Sequence, residues 1–182
     1  MRIIGGKRRG LVIKSIDGET TRPTKDEVRE ALFNILANKI PESRFLDLFA
    51  GSGAIGIEAI SRGAKEVVFS DINIDCVHVI NENLEKAKFT SYSKVINKDF
   101  KSVLNGLKDS KFDIIYVDPP YNKRLGIEAI NMISDLDILE IDGIIILETD
   151  TNEEVPEDIE KYERYNQKKY GRNILNMYRR KG

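Results

Sequence analysis

The sequence predicts an α/β protein built on a mainly parallel sheet with helices on both faces. Three observations predict it. Short apolar runs alternate with segments of helical period from residue 45 to residue 148, as consecutive strand-helix-strand units require. A glycine-rich turn joins the first apolar run to the helix after it. The composition is that of a single packed core: 182 residues, 41% hydrophobic, with 13 glycines and 5 prolines, too few for a fibrous or disordered chain. The length suits one domain, or one domain with a small appendage.

The first segment reads as two short strands, Arg2-Ile3-Ile4 and Leu11-Val12-Ile13, around the basic turn Gly5-Gly6-Lys7-Arg8-Arg9-Gly10. It is expected as a hairpin extension over 1–20, ahead of a main domain over 21–182. Thr24 and Glu27 have capping-box spacing, and Pro23 stops a helix from upstream. Val28, Ala31, Leu32, Ile35 and Leu36 then recur at helical spacing, giving an amphipathic helix over 25–39. Strands follow at 45–49, 66–70, 93–96, 112–117 and 143–148, with helices at 54–61, 73–87, 100–107 and 125–135 between them. The last part, 162–169 and 172–179, breaks at Tyr170-Gly171 and reads as an antiparallel pair at one edge.

Several function classes are excluded by counting. One cysteine, Cys76, permits no internal disulfide and no cysteine-built zinc site. One histidine, His78, excludes a multi-histidine metal centre, so no metal is expected. No apolar run reaches the ~18 residues of a membrane span, and 1–6 lacks the apolar stretch of a signal peptide. A soluble cytoplasmic protein is the expectation. The net charge of −1 conceals an asymmetry: residues 1–14 carry +5, residues 161–182 carry +7, and the remainder −13. Two basic ends suit a polyanionic partner if they meet in space.

Gly51, Gly53 and Gly56 fit the spacing G-x-G-x-x-G at a strand-to-helix junction, and Asp71 follows at the tip of the next strand. Such glycines let the backbone approach a ligand, and the acid can hold ribose hydroxyls. On spacing alone this is a dinucleotide site, or merely a tight turn. Asp47 inside the first strand argues against a pyrophosphate at the helix end. An acidic rim suits the sulfonium and ammonium of S-adenosylmethionine better. Asp99-Phe100, after the third strand, suits an adenine amine and ring, or a helix cap with a core aromatic.

The fourth strand ends Val117-Asp118-Pro119-Pro120-Tyr121. The prolines fix the backbone and leave their carbonyls as acceptors. A carboxylate and a carbonyl side by side take both hydrogens of a planar amine and aim its lone pair outward. That serves methyl transfer by positioning and electrostatics, with no covalent intermediate. Tyr121 offers a face on which a base stacks.

These motifs, with the opening Arg2-Ile3-Ile4-Gly5-Gly6, the segment Arg22-Pro23-Thr24 and the pair Gly56 and Glu58-Ala59, resemble the RsmD-like family over nearly the whole chain. The resemblance implies a Rossmann-like class I methyltransferase fold with a seven-stranded sheet. It implies methylation of guanine N2 in small-subunit (16S) ribosomal RNA, naked or in a partly or fully assembled subunit, with S-adenosylmethionine as methyl donor. By position, Asp47, Gly51 and Gly53 line the methionine end, Asp71 the ribose, and Asp99 and Phe100 the adenine. Asp118 and Pro119 take the amine, with Tyr121 against the guanine. Lys7, Arg8 and Arg9 belong to an RNA-binding hairpin, while Arg22 and Thr24 fall near the cofactor; Arg22 is also counted among the RNA-binding candidates. The competing readings are another amino-methyltransferase with this motif, such as a DNA adenine-N6 enzyme, a NAD-dependent oxidoreductase, and a non-catalytic RNA-binding module.

Overall fold

The computed structural model describes residues 1–16, 23–120 and 124–182, and the backbone alone at Pro23 and Thr24. Expectations at Arg22 and Tyr121, and at the Thr24 side chain, therefore lie outside the described residues, as does the proposed boundary at residue 20.

Among the described residues five α-helices and eight strands form, alternating as far as β5 and then running strand to strand. They are α1 (Pro23–Ile35), β1 (Arg44–Asp47), α2 (Ala54–Ser61), β2 (Glu66–Ser70), α3 (Ile74–Ala87), β3 (Ser93–Ile96), α4 (Phe100–Gly106), β4 (Phe112–Val117) and α5 (Leu125–Leu136). β5 (Leu139–Asp150), β6 (Asp158–Ile159), β7 (Tyr162–Tyr170) and β8 (Asn173–Arg180) complete the chain. All lie in one sheet of order β3-β2-β1-β4-β5-β8-β7-β6. Pairing is parallel from β3 to β5 and antiparallel from β5 to β6. The sheet is Rossmann-like, with eight strands where seven were expected. The additional one, β6, has two residues and lies in an acidic stretch with no periodicity to reveal it. β5 begins four residues earlier than expected because Leu139 still pairs with Phe112, across an irregularity between Phe112 and Ile114.

Strand alternation sorts the core into two layers. Phe45, Ile114, Tyr116, Ile144 and Ile146 face α1, α2 and α3 through Leu32, Phe33, Ile57, Ile60 and Ile80. Leu46, Ile115, Val117, Ile145 and Leu147 face α4 and α5 through Val103, Leu104, Ala129, Ile130 and Ile133. Tyr162 and Tyr178 of the last hairpin are fully buried and belong to this second layer.

The N-terminal segment departs from a regular hairpin. It forms one antiparallel bridge, Arg2 with Val12, and Gly6–Arg8 is a short 3-10 turn. Further backbone bonds close it on itself, Ile3 N–H to Leu11 O at 2.9 Å and Ile13 N–H to Met1 O at 2.8 Å, and the rest tie it to α1, α2 and α3. The buried carboxylate of Glu58 accepts the N–H of Ile4 at 2.9 Å and of Gly5 at 3.2 Å. The Ser61 hydroxyl donates to Gly5 O at 2.6 Å and accepts the N–H of Arg8 at 3.0 Å. Arg29 donates to Arg2 O at 2.7 Å. Ile3 and Ile13 are buried in the first layer. The segment is thus a strap laid over the domain.

The C-terminal charges are also committed. Asp137, at the left-handed end of α5, accepts from Lys111, Lys161 and Arg180, which hold its carboxyl well below the usual range. Arg164, Arg172, Arg179 and Lys181 pair with Glu157, Asp150, Glu163 and Asp158. Four acids of the stretch, Asp137, Asp150, Glu157 and Asp158, therefore face the basic C-terminal hairpin. Among the described residues no helix is long and apolar enough to cross a membrane.

The Glu58 side chain has no exposure. Burial pushes its carboxyl up, while the Ile4 N–H and the charges of Arg29 and Arg62 pull it back. Glu58→Ala leaves the two strap N–H groups without their acceptor and the half-buried Arg62 without its carboxylate. The variant is expected to lose about 3–5 kcal/mol in urea denaturation, with protease cleavage appearing first within 1–16.

Candidate active site

A parallel sheet delivers the residues that follow its strands to one edge. Here that edge opens into a cavity of about 690 Å³, within the range of small-molecule sites. It is walled by the β1–α2 loop, the tips of β2, β4 and β5, the start of α4 and the first turns of α1.

The glycine loop shapes one half. Gly51 and Gly53 have φ of 56° and 82°, a left-handed backbone that strains other residues. Gly56 serves packing instead: a Cβ there meets the Phe69 ring at 2.2 Å. The loop is tied down by acids from two strands. Asp47, 1% exposed, accepts the Gly56 N–H at 3.1 Å. Asp71 accepts Gly51 N–H at 2.9 Å on one oxygen and Asn73 N–H at 2.9 Å on the other. Burial, against the Gly56 bond and with help from the Asp71 charge, pushes the Asp47 carboxyl up to about 7.

Asp99 caps α4, accepting the backbone N–H of Ser102 at 3.0 Å and its hydroxyl at 2.7 Å. Phe100 packs on Phe49 with ring centroids 5.5 Å apart. Both residues also line the cavity, as does the 73% exposed Ile72. The cap and the cavity wall are therefore one structure. Gly53 alone among the expected cofactor residues is off the wall, buried behind the loop against Ile80 and Ile57.

The other half holds Asp118, Pro119 and Pro120 at the β4 tip. Residues that the sequence reading passed over complete it: Lys25, Asp26 and Arg29 from α1, Tyr116 on β4, and Glu148 on β5. Tyr116, 2% exposed, donates its hydroxyl to Glu148 Oε2. Burial, then the charges of Glu148 and Asp118, hold the Tyr116 phenol well above its usual range, so it remains a donor. Burial also raises the Glu148 carboxyl, opposed by the Tyr116 bond and the Lys25 charge. Glu148 was hidden in an acidic run; its place at a strand end, like Asp47 and Asp118, was the available signal.

Lys7, Arg8 and Arg9 stand away from this wall, although Met1 of the strap reaches it. Lys7 and Arg9 are exposed, whereas Arg8 is half-buried and donates to Ala87 O at 2.8 Å.

With this geometry in view, comparison with known proteins is decisive. Residues 1–179 match the family described as Conserved hypothetical protein 95. The chain belongs to this family, the RsmD family. The protein named "Putative rRNA methyltransferase YlbH" from Bacillus subtilis is 33% identical over the full length of both chains. "Ribosomal RNA small subunit methyltransferase D" from Escherichia coli is 34% identical, covering 99% of this chain and 90% of its own. Among solved structures, "Putative methyltransferase yhhF from Escherichia coli" superposes with a TM-score of 0.89 at 32% identity, over 100% of this chain and 98% of its own. The RsmD family assignment agrees with the motifs from the N-terminal Ile-Ile-Gly-Gly to Asp118-Pro119-Pro120.

The raised Asp47 carboxyl has a consequence for stability. Its folded value of about 7 exceeds the unfolded 3.8. The folded state therefore holds a proton that the unfolded state releases, and stability falls as pH rises from about 4 to 7. Asp47→Asn keeps an acceptor for Gly56 and cannot ionise. Its advantage over wild type in urea denaturation is expected to grow between pH 5 and pH 8, reaching about 2–4 kcal/mol. Parallel pH profiles for the two proteins would contradict the burial assignment.

Proposed function

We propose that this chain transfers a methyl group from S-adenosylmethionine to the exocyclic N2 amine of a guanine in small-subunit ribosomal RNA. The observation that carries the proposal is the placement of Asp118-Pro119-Pro120 beside the glycine loop in one cavity. The names borne by the family relatives support ribosomal RNA as the substrate.

The cofactor half fits such a molecule. Buried Asp47 and half-buried Asp71 make it acidic and so favourable to a sulfonium and an ammonium. Phe49, Phe100 and Ile72 offer apolar surface for an adenine. Asp71 keeps lone pairs for ribose hydroxyls beyond the two N–H bonds it accepts. Bound there, the cofactor supplies a methyl group on a positively charged sulfur that leaves as a neutral thioether.

The chain's own part is to present the nucleophile. Asp118 and the Pro119 carbonyl accept the two hydrogens of the amine, which draws the nitrogen toward tetrahedral geometry and points its lone pair at the methyl. As nitrogen gains the methyl it becomes cationic, and Asp118 stabilises that charge until a proton is lost. The target nucleotide must leave its stack to enter the cavity. Tyr121 would stack on it. Lys7, Arg8, Arg9 and Arg22 would meet phosphates, with the N-terminal extension expected over 1–20 acting as the RNA-binding part of the chain. Because Arg8 also holds the Ala87 carbonyl, Lys7 and Arg9 are the informative positions.

The test is incubation with labelled S-adenosylmethionine and undermethylated small subunits or their naked RNA, followed by digestion to nucleosides. N2-methylguanosine is the expected product; a different methylated nucleoside overturns the assignment. Asp118→Ala is expected to bind the cofactor as wild type does and to turn over ~10²–10³ more slowly.

A separate outcome concerns RNA affinity. Each phosphate neutralised on single-stranded RNA contributes about −0.7 to the slope of log affinity against log salt. Lys7→Ala with Arg9→Ala is expected to flatten that slope by up to about 1.4 and to raise KM for RNA, with cofactor affinity unchanged. An unaltered slope would place the RNA elsewhere.

A further inference from the structure

The base half of the cavity contains a carboxylate for which the amine-orienting scheme has no task. Glu148 follows Leu147, which is in register with Val117 on the neighbouring parallel strand. Glu148 and Asp118 are therefore successors of paired residues, about one strand spacing (~4.8 Å) apart along the sheet edge. Both line the cavity. Glu148 is held from one side only: the Tyr116 hydroxyl bonds Oε2, and no described residue donates a hydrogen bond to Oε1. Lys25 of α1 supplies the opposing charge.

Two neighbouring acceptors match one feature of a base edge. In guanine the N2 amine lies beside the N1–H, so the edge presents adjacent donors. In adenine the exocyclic amine lies beside a bare N1, which is an acceptor. With the amine on Asp118 and Pro119, a second carboxylate one strand away faces the ring position next to it.

We infer that Glu148 is the specificity-determining residue of the base half, accepting the N1–H of the target guanine while the Tyr116 hydroxyl fixes its orientation. This rests on the amine-methylation reading above and extends it to base choice. The carboxylate attracts the guanine edge and repels the N1 lone pair of adenine. The N1 proton remains on the base; the bond only positions the ring and adds electron density toward N2. Tyr116 is a positioning residue, because its hydroxyl reaches the base solely through Glu148.

The experiment uses RNA in which the methylated guanosine, once mapped, is replaced by 2-aminopurine ribonucleotide. That base keeps the 2-amine and lacks the N1–H. Wild type is expected to prefer guanine by at least about 100-fold in kcat/KM, as sites built to bond a donor reject analogues lacking it. Glu148→Gln can present its amide N–H to a bare N1. Its preference is expected to fall below about 10-fold, with S-adenosylmethionine affinity unchanged. Loss of the 6-oxo group affects both proteins equally, so the change in preference between them isolates Glu148. Tyr116→Phe is expected to give an intermediate preference, again with normal cofactor binding. If Glu148→Gln and Tyr116→Phe both keep the wild-type preference, the inference is overturned. It is equally overturned if Glu148→Gln loses cofactor binding, which would assign Glu148 to the other half. Failure of the underlying reading shows separately, as a wild-type product other than N2-methylguanosine.

Discussion

Parallel strands that all end at one edge force their terminal side chains into one space, and here those side chains are acids. Asp47, Asp71, Asp118 and Glu148 come from the ends of β1, β2, β4 and β5, and all line a single cavity. Like charges gathered at a partly dry site cost free energy unless donors or cations face them. The surrounding structure answers this cost acid by acid. The glycine loop turns its N–H groups toward Asp47 and Asp71, the Tyr116 hydroxyl meets Glu148, and Lys25 brings α1 over the same site. The shape of the loop, the placement of α1 and the burial of a tyrosine in the first core layer are all parts of that answer. Asp47 shows that the answer is incomplete, since its carboxyl remains at about 7.

Much of this was legible in the sequence, and the reasons are specific. Strands β2, β3 and β4 matched their expected limits because each carries adjacent β-branched or aromatic residues and stops at a polar residue, Asp71, Asn97 or Asp118. The glycine spacing located the loop, and the aspartates at strand ends located four of the cavity's acids. Contacts between distant segments were not legible. Glu58 reads as an ordinary polar residue on α2, yet it is fully buried because the strap, more than fifty residues earlier, needs an acceptor there. Tyr116 reads as one more apolar residue of β4, and only the fold shows its hydroxyl beside Glu148.

Charge arithmetic left the pairing of the C-terminal charges unseen for the same reason. Counting by segment separates an acidic middle from a basic C-terminus, but antiparallel pairing lays β7 and β8 alongside the segment that carries the acids. Asp137 alone accepts from Lys111, Lys161 and Arg180. The basic charge of the hairpin is largely spent within the molecule. The exposed Lys7 and Arg9 of the strap stand differently, because the strap is fixed by its backbone, by Arg8 and by Glu58.

The order of strands also governs when the chain can become a protein. β8, which follows its partners in the sequence, is not an edge; it lies between β5 and β7 and bonds both. Its Asn176 donates to the backbone Leu147 O at 3.0 Å and to the side-chain hydroxyl of Thr149 at 3.0 Å, gripping the residues on either side of Glu148. Until it arrives, β5 presents an unpaired apolar edge, and the tip carrying Glu148 lacks its outer support. Folding therefore depends on contacts between residues far apart in the chain, the pattern associated with slow assembly and a need for protection while nascent.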